Sequence, residues 1–501
     1  MERRSDESCS ESADRRRNSR SCRRFRSPGP LASPCVTALL VPGVEDPGKL
    51  AKRQTMASGA ELSGRGRRTP GQRDRDRILY CSAFQRLAYV TQVTAPESGH
   101  AFHNRLSHSL KVAQVGRRNI ERLSGLVQSG LIDGAAAKLV QLVDHDSVEA
   151  SCLAHDLGHP PFGHIAEVVL HAAACRELKE DFDAFEGNAQ SFRIVTRLGI
   201  RVGGEQGLNL TRQTLAGLLK YPWGYSSNPA DKAHRKWGHY ADDCEAFSFA
   251  LSGYAGNVGP ERTLEAEIMD WADDLTYAVH DVDDFFRAGL IPLHRLRGND
   301  SAELATFKKL LQDAKAAEPN SFGGYEVDDL VEAVKSPLVY GPGVAYEHTE
   351  PNRATMREFG SNLITRYLEA FRLENDRDSG QAELVIDPSA RCEVEALKAL
   401  VTVFVIRRPG LAVVQHGQQR MIDDLFRWYY EASAPGEAGD RRLLPPGAKE
   451  RLERSDDSPE DRARVVVDLI SGLTEATAIQ LHNRLSGGWS GQVLDAVADS
   501  G

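Results

Sequence analysis

Apolar residues recur at helical spacing along most of the chain, and the places where that rhythm breaks are where polar chemistry collects. In RDRDRILYCSAFQRLAYVTQV, from Arg73, the residues Ile78, Leu79, Ala83, Phe84, Leu87 and Ala88 form one stripe of an amphipathic helix, with arginines on its wet face. HNRLSHSLKVAQVGRRNIERL, from His103, repeats the pattern through Leu106, Leu110, Val112, Ala113, Val115, Ile120 and Leu123. It puts Arg105 and His108 on the same side of one turn. A third run, Leu139, Val140, Leu142 and Val143, then Cys152, Leu153 and Ala154, leads directly into His155 and Asp156. From Thr211, TRQTLAGLLKYPWGY predicts a helix ended by Pro222 with Lys220 in its last turn, where the helix dipole alone explains a cation. From Glu265, EAEIMDWADDLTYAVHDVDDFFRAGL buries Ile268, Ala272, Leu275, Val279, Val282 and Phe286 and lifts Asp273, Tyr277 and Asp281 at four-residue steps onto one face. The run Val401 to Ile406 is the only contender for a strand, so the predicted class is all-α.

The 501 residues divide into four parts by pattern. Residues 1–72 are rich in Arg and Ser and too poor in apolar residues to build a core, which predicts a disordered head. Residues 73–293 hold the clearest helices, 294–390 mix helical pieces with Gly/Pro-rich loops, and 391–501 resume as a C-terminal helical lobe. Met56 offers an alternative start of translation.

The densest chemistry lies in CLAHDLGHPPFGHIAE, Cys152 to Glu167. Imidazole nitrogen and carboxylate oxygen from His155 and Asp156 suit a borderline or hard divalent cation. Gly158, Pro160, Pro161 and Gly163 then break the helical path, so His159 and His164 sit on a tight turn over the same end. An ordinary helix end with solvated histidines is the bland alternative. His108 gains weight from that company, and Asp273 supplies a further carboxylate, giving an N2O2 donor set of His108, His155, Asp156 and Asp273.

Charge and cysteine usage narrow the rest. A formal net charge of −9 argues against wholesale nucleic-acid binding, although the basic head leaves a local contact with single-stranded nucleic acid as an alternative. The eight cysteines include no CxxC pair, which is neither a disulfide framework nor a zinc-ribbon pattern, and the cytoplasm is the expected compartment. No stretch approaches the roughly 18 continuous apolar residues of a membrane helix.

Five stretches in order, RDRDRILYCSAFQRLAYVTQV, HNRLSHSLKVAQ, AHDLGHPPFGHIAE, FEGNAQ and ADDLTYAVHD, resemble the deoxyguanosine triphosphate triphosphohydrolases of the HD-domain superfamily. The resemblance spans about Arg73 to Leu290 and, more weakly, the C-terminal helices, where Ser471 to Ala476, SGLTEA, only approximates the family's pattern. It implies an HD-domain helical core with an additional C-terminal lobe. It also implies metal-dependent hydrolysis of a deoxynucleoside triphosphate, with dGTP expected, to deoxynucleoside and inorganic triphosphate. The cofactor implied is Mn²⁺ or Mg²⁺, with Fe, Co or Zn as alternatives, on His108, His155, Asp156 and Asp273. His164 and Glu167 resemble the catalytic pair, with His159 close by, and either water or His164 is the nucleophile. Gln92 and Arg105 resemble sugar and phosphate contacts, Lys220 and Lys236 the triphosphate-holding lysines, and Tyr277 and Asp281 the residues that pack on the deoxyribose and read its 3′-hydroxyl. An activating nucleotide and a homo-oligomer are further expectations of the resemblance. The competing readings are an HD-type phosphodiesterase or 5′-nucleotidase, and a nucleotide-sensing or nucleic-acid-binding protein.

Overall fold

The computed structural model describes residues 35–39, 47–54, 68–92, 103–178, 182–201, 207–228, 230–254, 261–297, 302–319, 321–376 and 381–488. Helix α1 (Pro70–Leu79) opens with a capping box in which Thr69 accepts from the Gln72 backbone and Gln72 reaches back to Thr69. Helix α2 (Arg105–Gln128) is capped by Asn104, which accepts from the Ser107 N–H at 2.9 Å. Helix α3 (His145–Ala154) ends where His155 begins a turn, and helix α4 (His164–Glu177) starts on the far side of it. Helix α5 (Gly187–Arg193) lies against that turn. Helix α6 (Leu264–Thr276) continues as a π turn over Tyr277–Asp281.

The first core is built by α1, α2, α3 and α6, whose buried residues include Ile78, Val112, Ile120, Cys152, Ile268 and Leu275. A Cβ on Gly116 would come within 2.5 Å of Cys152 Sγ, so glycine is what lets α2 cross α3 this closely. That crossing brings His108 of α2 and His155 at the end of α3 to within 5.7 Å, centre to centre.

The chain then adds α7 (Ala302–Ala317), α8 (Glu350–Ala370), α9 (Pro388–Val401), α10 (Pro409–Ala432), α11 (Pro459–Ser471) and α12 (Glu475–Leu485). These C-terminal helices divide between two cores. Leu397 and Val405 belong to the first, whereas Ile422, Phe426, Val466, Ile470 and Ala478 pack with Leu170 and Ala173 of α4 in a second. The turn from His155 to Gly163 therefore joins an element of one core to an element of the other.

The helical class holds, with a small antiparallel sheet beside it in the order β1 (Cys35–Ala38), β3 (Ala382–Ile386), β2 (Phe371–Asn375). The Val401 to Ile406 run is no strand: Val401 closes α9 and Thr402–Ile406 continue it as a π turn. A short run of mostly buried β-branched residues has no periodicity to separate the two outcomes. In β2 the alternation is plain, with Phe371 and Leu373 buried and Arg372 and Glu374 exposed.

Strand β1 and residues 47–54 fall inside the head that composition assigns to disorder, yet they hold places in the fold. Val36 pairs with Val385, and Arg53 donates to the buried Asp74 of α1 at 2.6 Å. Local apolar content in Val36 to Leu39 suffices once β3 supplies a partner edge. Residues 1–34, 40–46 and 55–67, which include the Arg-rich runs and Met56, lie outside the described residues. Among the described residues no helix is long and apolar enough to cross a membrane.

Candidate active site and metal centre

Three elements deliver the four predicted ligands to one place. His108 comes from the first turn of α2, His155 and Asp156 from the end of α3, and Asp273 from the last turn of α6. Asp273 Oδ1 lies 3.0 Å from His108 Nε2 and 3.6 Å from His155 Nε2, and His155 Nε2 lies 3.4 Å from Asp156 Oδ1. The His155 Nδ1–H donates to the Cys152 carbonyl at 2.7 Å. That bond fixes the ring and aims Nε2, which is buried without a hydrogen-bond partner, into the cluster. A buried, orphaned imidazole nitrogen with two carboxylates and a second imidazole around it fits a divalent cation.

The electrostatics agree with that donor set. Burial alone would push His155 down, but the Asp156 and Asp273 carboxylates outweigh it and raise the imidazole to about 9. Against the same burial cost, His155, His159 and Arg105 hold Asp156 well below the usual carboxylate range, and Lys220, His108 and His155 do so for Asp273. Arg105 donates to Asp156 Oδ2 at 2.9 Å.

The turn beyond Asp156 is held against α5. A Cβ on Gly158 would meet the Gly187 carbonyl at 2.3 Å, and the Gly158 N–H instead donates to Ser191 Oγ at 2.9 Å. His159 then sits between Asp156 Oδ1 at 3.0 Å and Glu167 Oε1 at 3.1 Å. Burial and the nearby Arg105 guanidinium push the His159 imidazole below its ordinary value. His164 stands at the N-terminus of α4, its side chain 73% exposed, and donates through Nδ1 to Glu167 Oε2 at 3.2 Å. Glu167 itself is buried, and His164, His159 and Lys236 hold its carboxyl well below the usual range despite that burial.

These groups face one cavity of about 490 Å³. Of the predicted site residues, Gln92, Arg105, His155, Asp156, His159, His164, Lys220, Lys236, Asp273 and Tyr277 line it. His108 and Glu167 lie behind this wall in contact with it. Asp281 is buried, with Oδ2 unpartnered, and is absent from the lining. The π turn between Tyr277 and Asp281 adds a residue to the turn there, and Asp281 lies buried near Arg105 and Asp273 rather than on the cavity wall.

Both predicted lysines arrive by routes the pattern does not give. The helix from Thr211 ends at Gly217, so Lys220 lies beyond it and the helix dipole is not its explanation. Its ammonium sits 2.6 Å from Asp270 Oδ1 and 3.3 Å from Asp273 Oδ2. Lys236 reaches Glu186 Oε1 at 2.8 Å and Glu167 Oε2 at 3.4 Å. Its segment is anchored by Trp237 and Tyr240, both buried, with Tyr240 Oη donating to Gln190 Oε1 at 3.1 Å. Asp270, Glu186, Asn188, Gln415 and Gln418 therefore join the site or its support. Asp270 was visible as the acid one turn before Asp273, whereas Gln415 and Gln418 on α10 carried no sequence signal.

The helical core and its His/Asp cluster define a phosphohydrolase of the HD type: residues 105–278 match the HD domain, and residues 384–484 match the phosphohydrolase-associated domain. Over 436 residues the chain is 36% identical to a deoxyguanosinetriphosphate triphosphohydrolase-like protein of Streptomyces coelicolor, covering 84% of this chain and 93% of that protein. A protein of the same description from Corynebacterium efficiens is 36% identical over 433 residues, covering 83% and 91%, and one from Ralstonia nicotianae is 30% identical over 421 residues, covering 83% and 88%. The chain belongs to the deoxyguanosinetriphosphate triphosphohydrolase-like family of HD-domain hydrolases.

Proposed function

We infer that the protein hydrolyses deoxynucleoside triphosphates, dGTP among them, to deoxynucleoside and inorganic triphosphate. The observation that carries this reading is the cavity wall, which sets the His155–Asp156–Asp273 cluster beside Arg105, two lysines and a tyrosine ring. The names of the relatives point to the same substrate.

A divalent metal on His108, His155, Asp156 and Asp273, Mn²⁺ or Mg²⁺ by preference, would act as a Lewis acid on an α-phosphate oxygen. Arg105 presents a guanidinium to the same phosphate while remaining tied to Asp156. Lys220 and Lys236 carry the remaining triphosphate charge, exchanging part of their carboxylate contacts for phosphate oxygens. Glu167 orients His164 through Nδ1, which leaves Nε2 either to protonate the 5′-oxygen as water attacks the α-phosphorus, or to attack the α-phosphorus itself as the 5′-oxygen leaves, with water then hydrolysing the phosphohistidine. Tyr277 offers a flat ring against the deoxyribose where a 2′-hydroxyl would project, and Gln92, whose Oε1 is buried and unpartnered, offers an acceptor to the sugar.

A second reading draws on a second cluster. His159, His164 and Glu167 also converge closely enough to hold an ion, as a two-metal phosphodiesterase or 5′-nucleotidase would require. Lys236, 3.4 Å from Glu167, already supplies a cation there and favours the one-metal reading. The test is incubation with the four dNTPs and Mn²⁺, with products resolved and metal counted per chain. Triphosphate and one ion are expected. Pyrophosphate or phosphate with two ions would replace this reading with the second.

A further inference from the structure

Glu475 is the first residue of α12, in the SGLTEA stretch, and it is buried. An acid in the first turn of a helix ordinarily faces its own helix N-terminus. Here one carboxylate oxygen, Oε1, accepts the backbone N–H of Thr91 at 2.6 Å and that of Phe162 at 3.2 Å. Thr91 and Phe162 are remote in sequence, and both line the cavity. Thr91 immediately precedes Gln92. Phe162 has φ of +67° and Gly163, the N-cap of α4, has φ of +61°, so a non-glycine residue is held in a left-handed conformation next to His164.

Neighbouring contacts run the same way. The buried Arg86 donates to the Leu473 carbonyl at 3.1 Å and to the Leu157 and His159 carbonyls at 2.8 Å each. Asp468 of α11 accepts from Gln190 Nε2 at 2.9 Å and from Arg193 Nε at 3.0 Å, both on α5. The stretch from Asp468 to Glu475 thus braces the loop bearing Gln92, the histidine turn and α5.

We propose that Glu475 is a positioning residue: by drawing the Thr91 and Phe162 N–H groups onto one oxygen, it sets the start of α4, and with it His164 and Glu167, against the metal cluster. A carboxylate suits the task because a single charged oxygen accepts two converging donors more strongly than a neutral one. The C-terminal lobe then completes the active site as well as covering the back of α4. This role rests on the reading of the site in which His164 and Glu167 act on the nucleotide.

The test uses full-length protein carrying Glu475→Ala or Glu475→Gln. Displacement of the turn in the alanine variant is expected to lower kcat by about 100-fold with bound Mn²⁺ per chain unchanged. Glutamine keeps an acceptor oxygen and is expected to stay within about tenfold of wild type. In a His164→Ala background the alanine change is expected to add less than about threefold, because the group it positions is gone. Amide exchange at Thr91 and Phe162 is expected to quicken in Glu475→Ala while α2 and α6 keep their protection. A variant that loses thermal stability yet turns over normally would overturn the proposal, as would an equal loss in the His164→Ala background. If alanine prevents folding, the glutamine variant and its exchange rates decide. If wild type releases no triphosphate, the nucleotide reading fails, while unchanged exchange at the two amides is what would sink the brace.

Discussion

The two sides of the cavity are built on opposite plans. The metal side, His108, His155, Asp156 and Asp273, is drawn from three helices of the first core, with its imidazoles buried and its carboxylates compensated by Arg105 and Lys220. The side facing it, His159, His164 and Glu167, rides on a turn and on α4, whose back packs into the second core, and His164 is exposed. A buried charged cluster is costly to assemble and stays put once assembled. An exposed imidazole on a helix end can follow a substrate and exchange protons with solvent. Under the proposed function, the difference implies that binding of the ion and action on the phosphate are separable, so that each is expected to be removable alone.

The largest effect separates them from the metal side. His155→Ala removes the oriented ligand and is expected to lower dNTP turnover by about 1,000-fold or more with loss of bound Mn²⁺, measured by metal content and product release together. His164→Ala is expected to cost about 100-fold or more in kcat with metal content unchanged. Loss of metal in that variant would collapse the two sides into one.

A smaller effect probes compensation. Asp270 holds Lys220 at 2.6 Å and is itself paired with Arg262. Asp270→Asn leaves the ammonium to Asp273, where it competes with the ion, and is expected to weaken Mn²⁺ binding by about tenfold in a direct titration. The smallest effect concerns pH. His280, within the π turn that begins at Tyr277, is held well below its ordinary value by burial and by Lys111, His103 and His108 nearby. Below about pH 6.5 the unfolded chain binds the proton that the folded chain refuses, so stability is full above that pH and falls as pH drops. His280→Gln is expected to remove about 1 kcal/mol of the loss between pH 7.5 and 5.5, read from urea midpoints at the two values.

Much of the clustering on the candidate metal side was legible in the sequence because His108 and Asp273 sit on helices whose apolar stripes announce their phase, while His155 and Asp156 close the apolar run of α3. His108 follows from the stripe of α2, and Asp273 from that of α6. Periodicity failed where the backbone departs from 3.6 residues per turn. Asp281 closes a π turn, and the predicted helix from Arg73 breaks at Tyr80 and Cys81 before resuming at Ser82. That break turns Arg86 from the expected wet face into the interior, where three backbone carbonyls receive it. Pairings across the fold were silent in the sequence even where a partner such as Asp270 was visible: Lys220 with Asp270, Lys236 with Glu186, and Glu475 with Thr91 and Phe162. Strand β1 needed β3, which lies at the other end of the chain, before its few apolar residues meant anything.

The most direct measurement runs the reaction of wild-type protein, Mn²⁺ and dGTP in ¹⁸O-labelled water and follows the label. Attack at the α-phosphorus with departure of the 5′-oxygen places the label in inorganic triphosphate and none in deoxyguanosine, and that is the predicted result. Label in the nucleoside hydroxyl, or release of pyrophosphate with a nucleoside monophosphate, would contradict the account.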